Sequence, residues 1–118
     1  MHELGIVTHV AKTVEQIALE NDITEVSSVV LQIGEVSGIV EDLFCDCWNY
    51  FRVRNDILKN AELVIETIPA VTYCSDCRRT YKTVQYGRIC PYCGSENTWL
   101  QQGNETLIKE ITVPEEEE

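Results

Sequence analysis

Two cysteine pairs constrain this chain more than any other feature of its sequence. Each pair has the spacing C-x2-C, Cys74 with Cys77 and Cys90 with Cys93, and twelve residues separate the pairs. A two-residue gap lets both sulfurs of a pair approach one metal ion, and a second pair completes a tetrahedron of thiolates. Four sulfur donors in a closed shell are typical of structural zinc and leave no coordination position open for catalysis. The segment that holds the pairs, residues 70–100, is short and has few large apolar side chains, so it also needs such an ion in order to fold.

Redox chemistry and an iron–sulfur centre are the alternatives for these cysteines, and the duplicated pair argues against a bare redox dithiol. Six cysteines in 118 residues fit a reducing compartment, where disulfides are rare. The start, Met1-His2-Glu3, lacks the cationic and apolar regions of a secretory signal. No apolar run approaches the roughly 20 residues that span a bilayer. The sequence therefore predicts a cytoplasmic chain without a membrane segment.

The charge of the chain is unevenly distributed. The formal net charge is -11, yet residues 71–100 carry a net charge of +2. An acidic chain repels phosphate backbones, so nucleic-acid binding is not expected outside the cysteine-rich segment. The four basic residues of that segment also partly offset the charge of a zinc tetrathiolate; they are Arg78, Arg79, Lys82 and Arg88. The final run, Glu115 to Glu118, is typical of a solvated acidic tail.

Hydrophobic periodicity predicts two helices and three strands outside the cysteine-rich segment. Apolar residues recur at steps of three and four in two stretches, which predicts helices over residues 4–20 and from Val40 to about Phe51. Alternating, β-branched stretches predict strands over residues 25–36, 61–68 and 105–113. On the first strand, Val29, Leu31 and Ile33 share one face. That face is expected to be buried.

This order of elements predicts an α+β fold: two helices on a three-stranded sheet, with an inserted four-cysteine domain that resembles a zinc ribbon. The strand, helix and strand between residues 25 and 68 should form a right-handed crossover with parallel strands. The last strand needs the sheet to bury its apolar face, so residues 70–100 are an insertion and not a tail. The predicted domains are an α/β domain of residues 1–69 with 101–114, the zinc-binding insert 70–100, and the tail 115–118.

Cys45 and Cys47 lie two residues apart on the second predicted helix. Their side chains point about 200° apart around the helix, so they do not coordinate the same ion. The simplest interpretation is apolar packing at Cys47 and a partly exposed thiol at Cys45. Their role stays open at this point.

His2 is the informative residue of the N-terminus. With the Met1 amine and the intervening peptide nitrogen, its imidazole can close adjacent small chelate rings on one ion. Nitrogen donors in a tetragonal arrangement suit nickel(II) or copper(II), and Glu3 offers a further donor nearby. A frayed, solvated terminus is the alternative.

Taken together, these motifs resemble the hydrogenase nickel-insertion accessory proteins, the HypA/HybF family. The resemblance spans essentially the whole chain and rests on these segments: Met1-His2-Glu3-Leu4, Gly34-Glu35-Val36-Ser37-Gly38, Ala61-Glu62-Leu63 to Ile68-Pro69, both cysteine pairs with Cys90-Pro91-Tyr92-Cys93-Gly94-Ser95, and Gly103-Asn104-Glu105.

The resemblance implies a cytoplasmic metallochaperone with nickel at the N-terminus and zinc in an inserted domain. It implies His2 as the side-chain nickel ligand, with the Met1 amine and Glu3 as close participants. It further implies that Cys74, Cys77, Cys90 and Cys93 hold zinc. Members hand nickel to the large subunit of nickel–iron hydrogenase with the help of the GTPase HypB, and in some bacteria they also serve urease.

Two other classes of function compete with this hypothesis. A zinc-ribbon module that binds protein or nucleic acid would use the basic residues of the insert and have no nickel role. A dithiol oxidoreductase would need a cysteine of low pKa beside a resolving partner. The sequence shows no Ser/His/Asp arrangement, paired-carboxylate signature or phosphate-binding glycine loop, so an enzyme is not expected.

Overall fold

The computed structural model describes residues 2–114, without the side chain of His2. Met1 and the predicted acidic tail, residues 115–118, lie outside the described residues. In chain order the elements are α1 (His2–Glu20), β1 (Ser28–Gly34), α2 (Glu41–Arg52), β2 (Glu62–Ile68), β3 (Val71–Cys74), β4 (Thr80–Lys82), α3 (Thr83–Tyr86), β5 (Thr98–Gln102) and β6 (Thr106–Thr112). Every helix and strand predicted from periodicity is present, with ends that differ by a few residues. The predicted α+β class is confirmed.

The first sheet has the strand order β2-β1-β6. The backbone N–H of Glu62 donates to Ser27 near one end of β1, and the N–H of Glu35 donates to Ile68 near the other end. These bonds advance along both strands in the same direction, so β1 and β2 are parallel, as the crossover prediction requires. In contrast, Ser27 donates to Thr112, and Gly34 donates to Glu105. β6 is therefore antiparallel to β1.

The central position of β1 explains its burial. Val29, Leu31 and Ile33 are all buried, with relative exposures of at most 2 %, as their shared face predicted. Neither β2 nor β6 contains a buried residue. Both are edge strands, and an edge strand has a neighbour on only one side.

The helices bury narrower stripes than the sequence predicted. On α1, Leu4 and Ile17 are 41 % and 36 % exposed, although both belong to the predicted apolar stripe. They lie at its margins, beyond the buried residues, which are Val7, Val10, Ala11, Val14 and Ala18. On α2, Phe44 and Trp48 are the buried residues. Val40 is exposed because it precedes the helix as its N-cap residue.

The described chain forms two compact units. The first contains residues 2–31, 39–65 and 108–114, and in it α1 contacts α2. The second contains Gln32–Gly38 and Glu66–Leu107, and it includes all four cysteines of the two pairs. The boundaries of these units differ at some residues from the domain boundaries that the sequence predicts. The boundaries of the insert, 70–100, stay a prediction.

The second sheet lies within the cysteine-bearing unit and has the strand order β4-β3-β5. Both neighbours of β3 are antiparallel to it: Thr72 lies opposite Tyr81 on β4 and opposite Leu100 on β5. Thr72 is the buried polar residue of this sheet, and its hydroxyl is hydrogen-bonded to that of Thr83. None of the helices within residues 2–114 combines the length and apolar composition that a bilayer crossing requires.

Candidate metal centre

The four paired cysteines converge on one point. All four sulfur atoms lie within 4.8 Å of one another. The Sγ atoms of Cys74 and Cys93 are 3.6 Å apart, as are those of Cys77 and Cys90. The close contacts thus join a cysteine of one pair to a cysteine of the other, which is how two C-x2-C turns enclose a common centre.

These distances fit a metal ion and exclude disulfides. A disulfide bond is about 2.0 Å long, and all four cysteines are free. Four thiolates at about 2.3 Å from a tetrahedrally coordinated zinc ion lie roughly 3.8 Å apart. The observed 3.6 Å separations are close to that value. The donor set and its spacing therefore fit a closed, four-sulfur metal site.

Both cysteine pairs form the same backbone turn. In the first turn, the Cys74 carbonyl accepts from the N–H of Arg78 at 2.8 Å, and the Cys74 N–H donates to the Arg79 carbonyl at 2.9 Å. In the second turn, the Cys90 carbonyl accepts from Gly94 at 2.8 Å, and the Cys90 N–H donates to Ser95 at 3.0 Å. Each turn fixes the backbone of its first cysteine, which aims the sulfur at the centre.

The thiols differ in their readiness to lose a proton. Burial raises the pKa of Cys77, and the Cys90 and Cys74 thiols raise it further, against a lowering by the Arg79 N–H and the Cys93 thiol. Burial also raises the pKa of Cys90, but the N–H groups of Cys93 and Tyr92 and two neighbouring thiols outweigh it and lower the pKa to about 7. The N–H of Ser95 lowers the pKa of Cys93, yet partial desolvation of its sulfur and the three surrounding thiols raise it to about 12. Without a cation, one thiolate forms at the cost of its neighbours, because like charges this close oppose one another.

The centre is enclosed on one side. Cys74 and Cys90 are buried together with Tyr81, Cys77 packs against them half-buried, and Cys93 is exposed. The Tyr81 hydroxyl donates to the Gly87 carbonyl at 2.8 Å, so a buried ring and its hydrogen bond support the sulfurs. Cys93 is the ligand position that solvent reaches first.

Two structural supports of this centre were not predicted from the sequence. One is Tyr81, whose position opposite Thr72 on the β3–β4 hairpin was signalled only by a short alternation. The other is the hydrogen bond from the Ser95 hydroxyl to the Asp76 carboxylate. It ties the turn of the first pair to that of the second. Ser95 and Asp76 are small polar residues of a kind common in any turn, so spacing alone gave no reason to pair them.

The predicted nickel ligands lie at the start of α1, where the structure describes little. Met1 lies outside the described residues. His2 is the first residue of α1, and Glu3 is half-buried in the first turn. A carboxylate in that turn is favoured by the positive end of the helix dipole. The nickel ligand set therefore stays a prediction.

Cys45 and Cys47 are not part of the metal centre. Among the described side chains, the cysteine quartet is the group of potential ligands found to converge. Both α2 cysteines are half-buried. Burial raises the pKa of Cys45, and the carboxylates of Glu41, Asp42 and Asp46 raise it further. Cys45 is thus a protonated, partly packed thiol, consistent with the simplest interpretation of the sequence.

Comparison with known proteins yields one family. Residues 1–113 match the family described as hydrogenase/urease nickel incorporation, metallochaperone, hypA. The hydrogenase maturation factor HypA of Campylobacter jejuni is 36 % identical over 113 residues, covering 96 % of this chain and 99 % of that protein. HypA of Dehalococcoides mccartyi is 34 % identical over 116 residues, covering 98 % and 97 %.

A solved structure agrees with these sequence matches. The solution structure of the nickel metallochaperone HypA from Helicobacter pylori superposes with a TM-score of 0.73 at 28 % identity. The superposition covers 97 % of this chain and 98 % of that one.

Proposed function

The chain belongs to the HypA family of hydrogenase/urease nickel-incorporation metallochaperones, and we propose that it binds nickel(II) and delivers it during the maturation of nickel–iron hydrogenase. The observation that carries this proposal is the extent of the family match, residues 1–113. It takes in the N-terminal histidine as well as the cysteine quartet. We assign the chain a role in binding and transfer and not in catalysis.

His2 is the proposed side-chain nickel ligand. Where Met1 is the first residue of the mature chain, its amine and the peptide nitrogen of His2 complete adjacent chelate rings, and Glu3 adds a donor. Nitrogen donors of this kind suit nickel(II). A site at a chain end has no closed shell around the ion, and an ion held in this way can be passed on.

Zinc is the proposed resident metal, held by Cys74, Cys77, Cys90 and Cys93. The donor set and the 3.6 Å sulfur separations support this assignment. The ion would compensate the thiolate charge and supply folding energy to the cysteine-bearing unit.

The proposed partners are those the family implies: the GTPase accessory protein HypB, the hydrogenase large subunit and, as a second destination of nickel, urease accessory proteins. The family description names both enzymes. We place the protein in the cytoplasm because its six cysteines are unpaired, which a reducing compartment maintains.

Nickel titration of the zinc-loaded chain tests the nickel assignment. The chain has two histidines, His2 and His9, and His9 is an exposed residue of the same helix. Calorimetry should show one nickel ion per native chain and none bound specifically by His2→Ala. His9→Ala is the matched control and should bind nickel as the native chain does. Equal affinity in the native and His2→Ala chains, or loss of binding in His9→Ala alone, contradicts the assignment.

A further inference from the structure

The cysteine-bearing unit carries an aromatic cavity beside the metal centre, with a volume of about 370 Å³. The rings of Tyr81 and Tyr86 meet edge to face, with centroids 6.0 Å apart. Tyr86 and Tyr92 are 49 % and 57 % exposed, so much of their ring surface faces solvent. The residues that line the cavity are Val71, Thr80, Tyr81, Lys82, Gln85, Tyr86 and Tyr92.

The charge at this cavity is opposite to that of the chain as a whole. Lys82 is exposed and lines the cavity. The Arg79 guanidinium lies over the Tyr92 ring, 5.0 Å from its centroid. None of the described residues that line the cavity carries a carboxylate. The cavity is thus a cationic site on a chain of net charge -11.

Hydrogen bonds hold this surface in place. The Arg79 carbonyl accepts from the N–H of Cys74, and Tyr92 lies between the two cysteines of the second pair. The Tyr81 hydroxyl donates to Gly87. The Arg79 backbone and the Tyr81 ring are therefore held in place before anything binds. Such preorganisation lowers the entropic cost of binding.

We infer that this aromatic cavity is a docking surface for a short acidic segment of a partner protein. Carboxylates of the segment would pair with Arg79 and Lys82, and an apolar side chain would pack against Tyr86 and Tyr92. Charge complementarity identifies the occupant, since the rest of this acidic chain repels such a segment. The inference goes beyond nickel binding and requires only the zinc-loaded chain.

Single-stranded nucleic acid also uses aromatic and cationic groups, but the observations favour a peptide. A cavity of about 370 Å³ accommodates only a few side chains. A polyphosphate strand carries a charge at every nucleotide and extends well beyond such a cavity, where the acidic chain repels it.

A peptide titration with two variants of equal charge tests the inference. The probe is an eight-residue peptide in which six glutamates flank a phenylalanine and a leucine. It is added to the full, zinc-loaded, nitrogen-15-labelled chain at low and at high salt. Amide shifts should cluster within residues 79–92, and binding should weaken as salt screens the charges.

The charge-matched pair of variants locates the binding site. The double variant Arg79→Gln with Lys82→Gln should weaken binding about tenfold or more. Arg54→Gln with Arg88→Gln removes two positive charges from outside the cavity and should change affinity by less than about twofold. Arg54 is a close match for Arg79, because its guanidinium also lies over a tyrosine ring, that of Tyr50, at 3.9 Å. Zinc content and circular dichroism establish that both variants fold.

Several results would overturn the inference. They are equal weakening by both double variants, shifts centred outside the cavity, absence of peptide binding to the native chain, and tighter binding of an oligothymidine than of the peptide at the same salt. Nickel titration of the same variants should match the native chain, since none of the four substitutions is at the proposed nickel ligands. Failure of the docking surface and failure of the nickel site are therefore separate results.

Discussion

Arg78 and Gly94 occupy the same position in the two cysteine turns. Each is the fourth residue after the first cysteine of its pair, and each donates its backbone N–H to that cysteine's carbonyl at 2.8 Å. Each also has a positive φ, 62° at Arg78 and 74° at Gly94. Glycine adopts this conformation freely, whereas a residue with a Cβ is strained by it. One turn of the metal centre thus uses the favourable residue and the other does not.

The strain at this position predicts unequal effects of two substitutions. Gly94→Ala should destabilise the metal-loaded chain by about 1 kcal/mol. The cause is backbone strain alone, because a Cβ at Gly94 meets no atom within 4 Å. Arg78→Gly should cost less, since relief of strain offsets the greater freedom of the unfolded chain. Denaturant unfolding measures both, and a larger loss for Arg78→Gly would show that φ does not govern these turns.

Gly34 should tolerate no side chain. A Cβ added there would lie 2.0 Å from the Gly103 carbonyl oxygen. The same oxygen accepts a hydrogen bond from the N–H of Val36, so the Gly103 backbone has little freedom to move. Gly34→Ala should therefore destabilise the chain by about 3 kcal/mol or more. Gly38→Ala is the control: φ is +82°, but a Cβ meets nothing within 4 Å, so we expect a loss of about 1 kcal/mol. Thermal unfolding that ranks the two variants in the reverse order would contradict the close approach.

Loss of the metal should unfold the insert and spare helices α1 and α2. Cys74→Ala leaves three thiols around the centre and removes the folding energy of the ion. The helical signal should persist, because α1 and α2 bury residues such as Val14 and Phe44 that are remote from the sulfurs in sequence. The total tryptophan emission should change through Trp99, whose ring centroid lies 5.4 Å from that of Tyr73 across β3 and β5, while buried Trp48 on α2 should contribute a constant signal.

Cys45→Ala is the control for metal loss and should retain both zinc and the tryptophan emission of the native chain. Circular dichroism and fluorescence follow the two regions separately. Concerted loss of both signals in Cys74→Ala would refute the inserted-domain prediction.

Cys45 should react slowly with iodoacetamide in the native chain. Burial first, and then the neighbouring carboxylates, raise its pKa, so less thiolate is present at a given pH than on an unfolded chain. Asp46→Asn should increase the rate about twofold at slightly alkaline pH, whereas Asp56→Asn should not. The raised pKa also makes the native state lose stability as pH rises, since the unfolded chain ionises first. Peptide mass spectrometry quantifies alkylation at Cys45, and a rate unchanged by Asp46→Asn would contradict the contribution of that charge.

Nickel should leave the chain before zinc as the pH falls. An imidazole competes for protons from about pH 6.5 downward. Where Met1 is the first residue of the mature chain, nickel at His2 has no closed shell of ligands to protect it. Four thiolates bind the zinc ion jointly, and all four take up protons only when the ion is displaced. Mass spectrometry of both metals after stepwise acidification checks the order. Release of zinc first would refute it, and His9→Ala should leave the nickel profile unchanged.

The sequence by itself determined the local structure and the chemistry of the metal centre. The two-residue gap in each cysteine pair dictates a turn whose sulfurs converge, because backbone geometry over so few residues leaves little choice. The alternation of Val29, Leu31 and Ile33 likewise set the buried face of β1, since successive side chains of a strand point to opposite sides. Both inferences depend on neighbours along the chain. The sulfurs of the pairs do lie close together and the β1 face is buried, whereas the bound metal stays a prediction.

Only the tertiary structure decided which distant residues meet. Gly34 lies close to the Gly103 backbone, and the Asp76 carboxylate accepts a hydrogen bond from the Ser95 hydroxyl. No spacing rule relates the members of either pair. The exposure of Leu4 is of the same kind: periodicity places it on the apolar stripe, but burial depends on whether another element covers it. Such contacts follow from the whole packed arrangement, in which residues far apart in the chain compete for the same space.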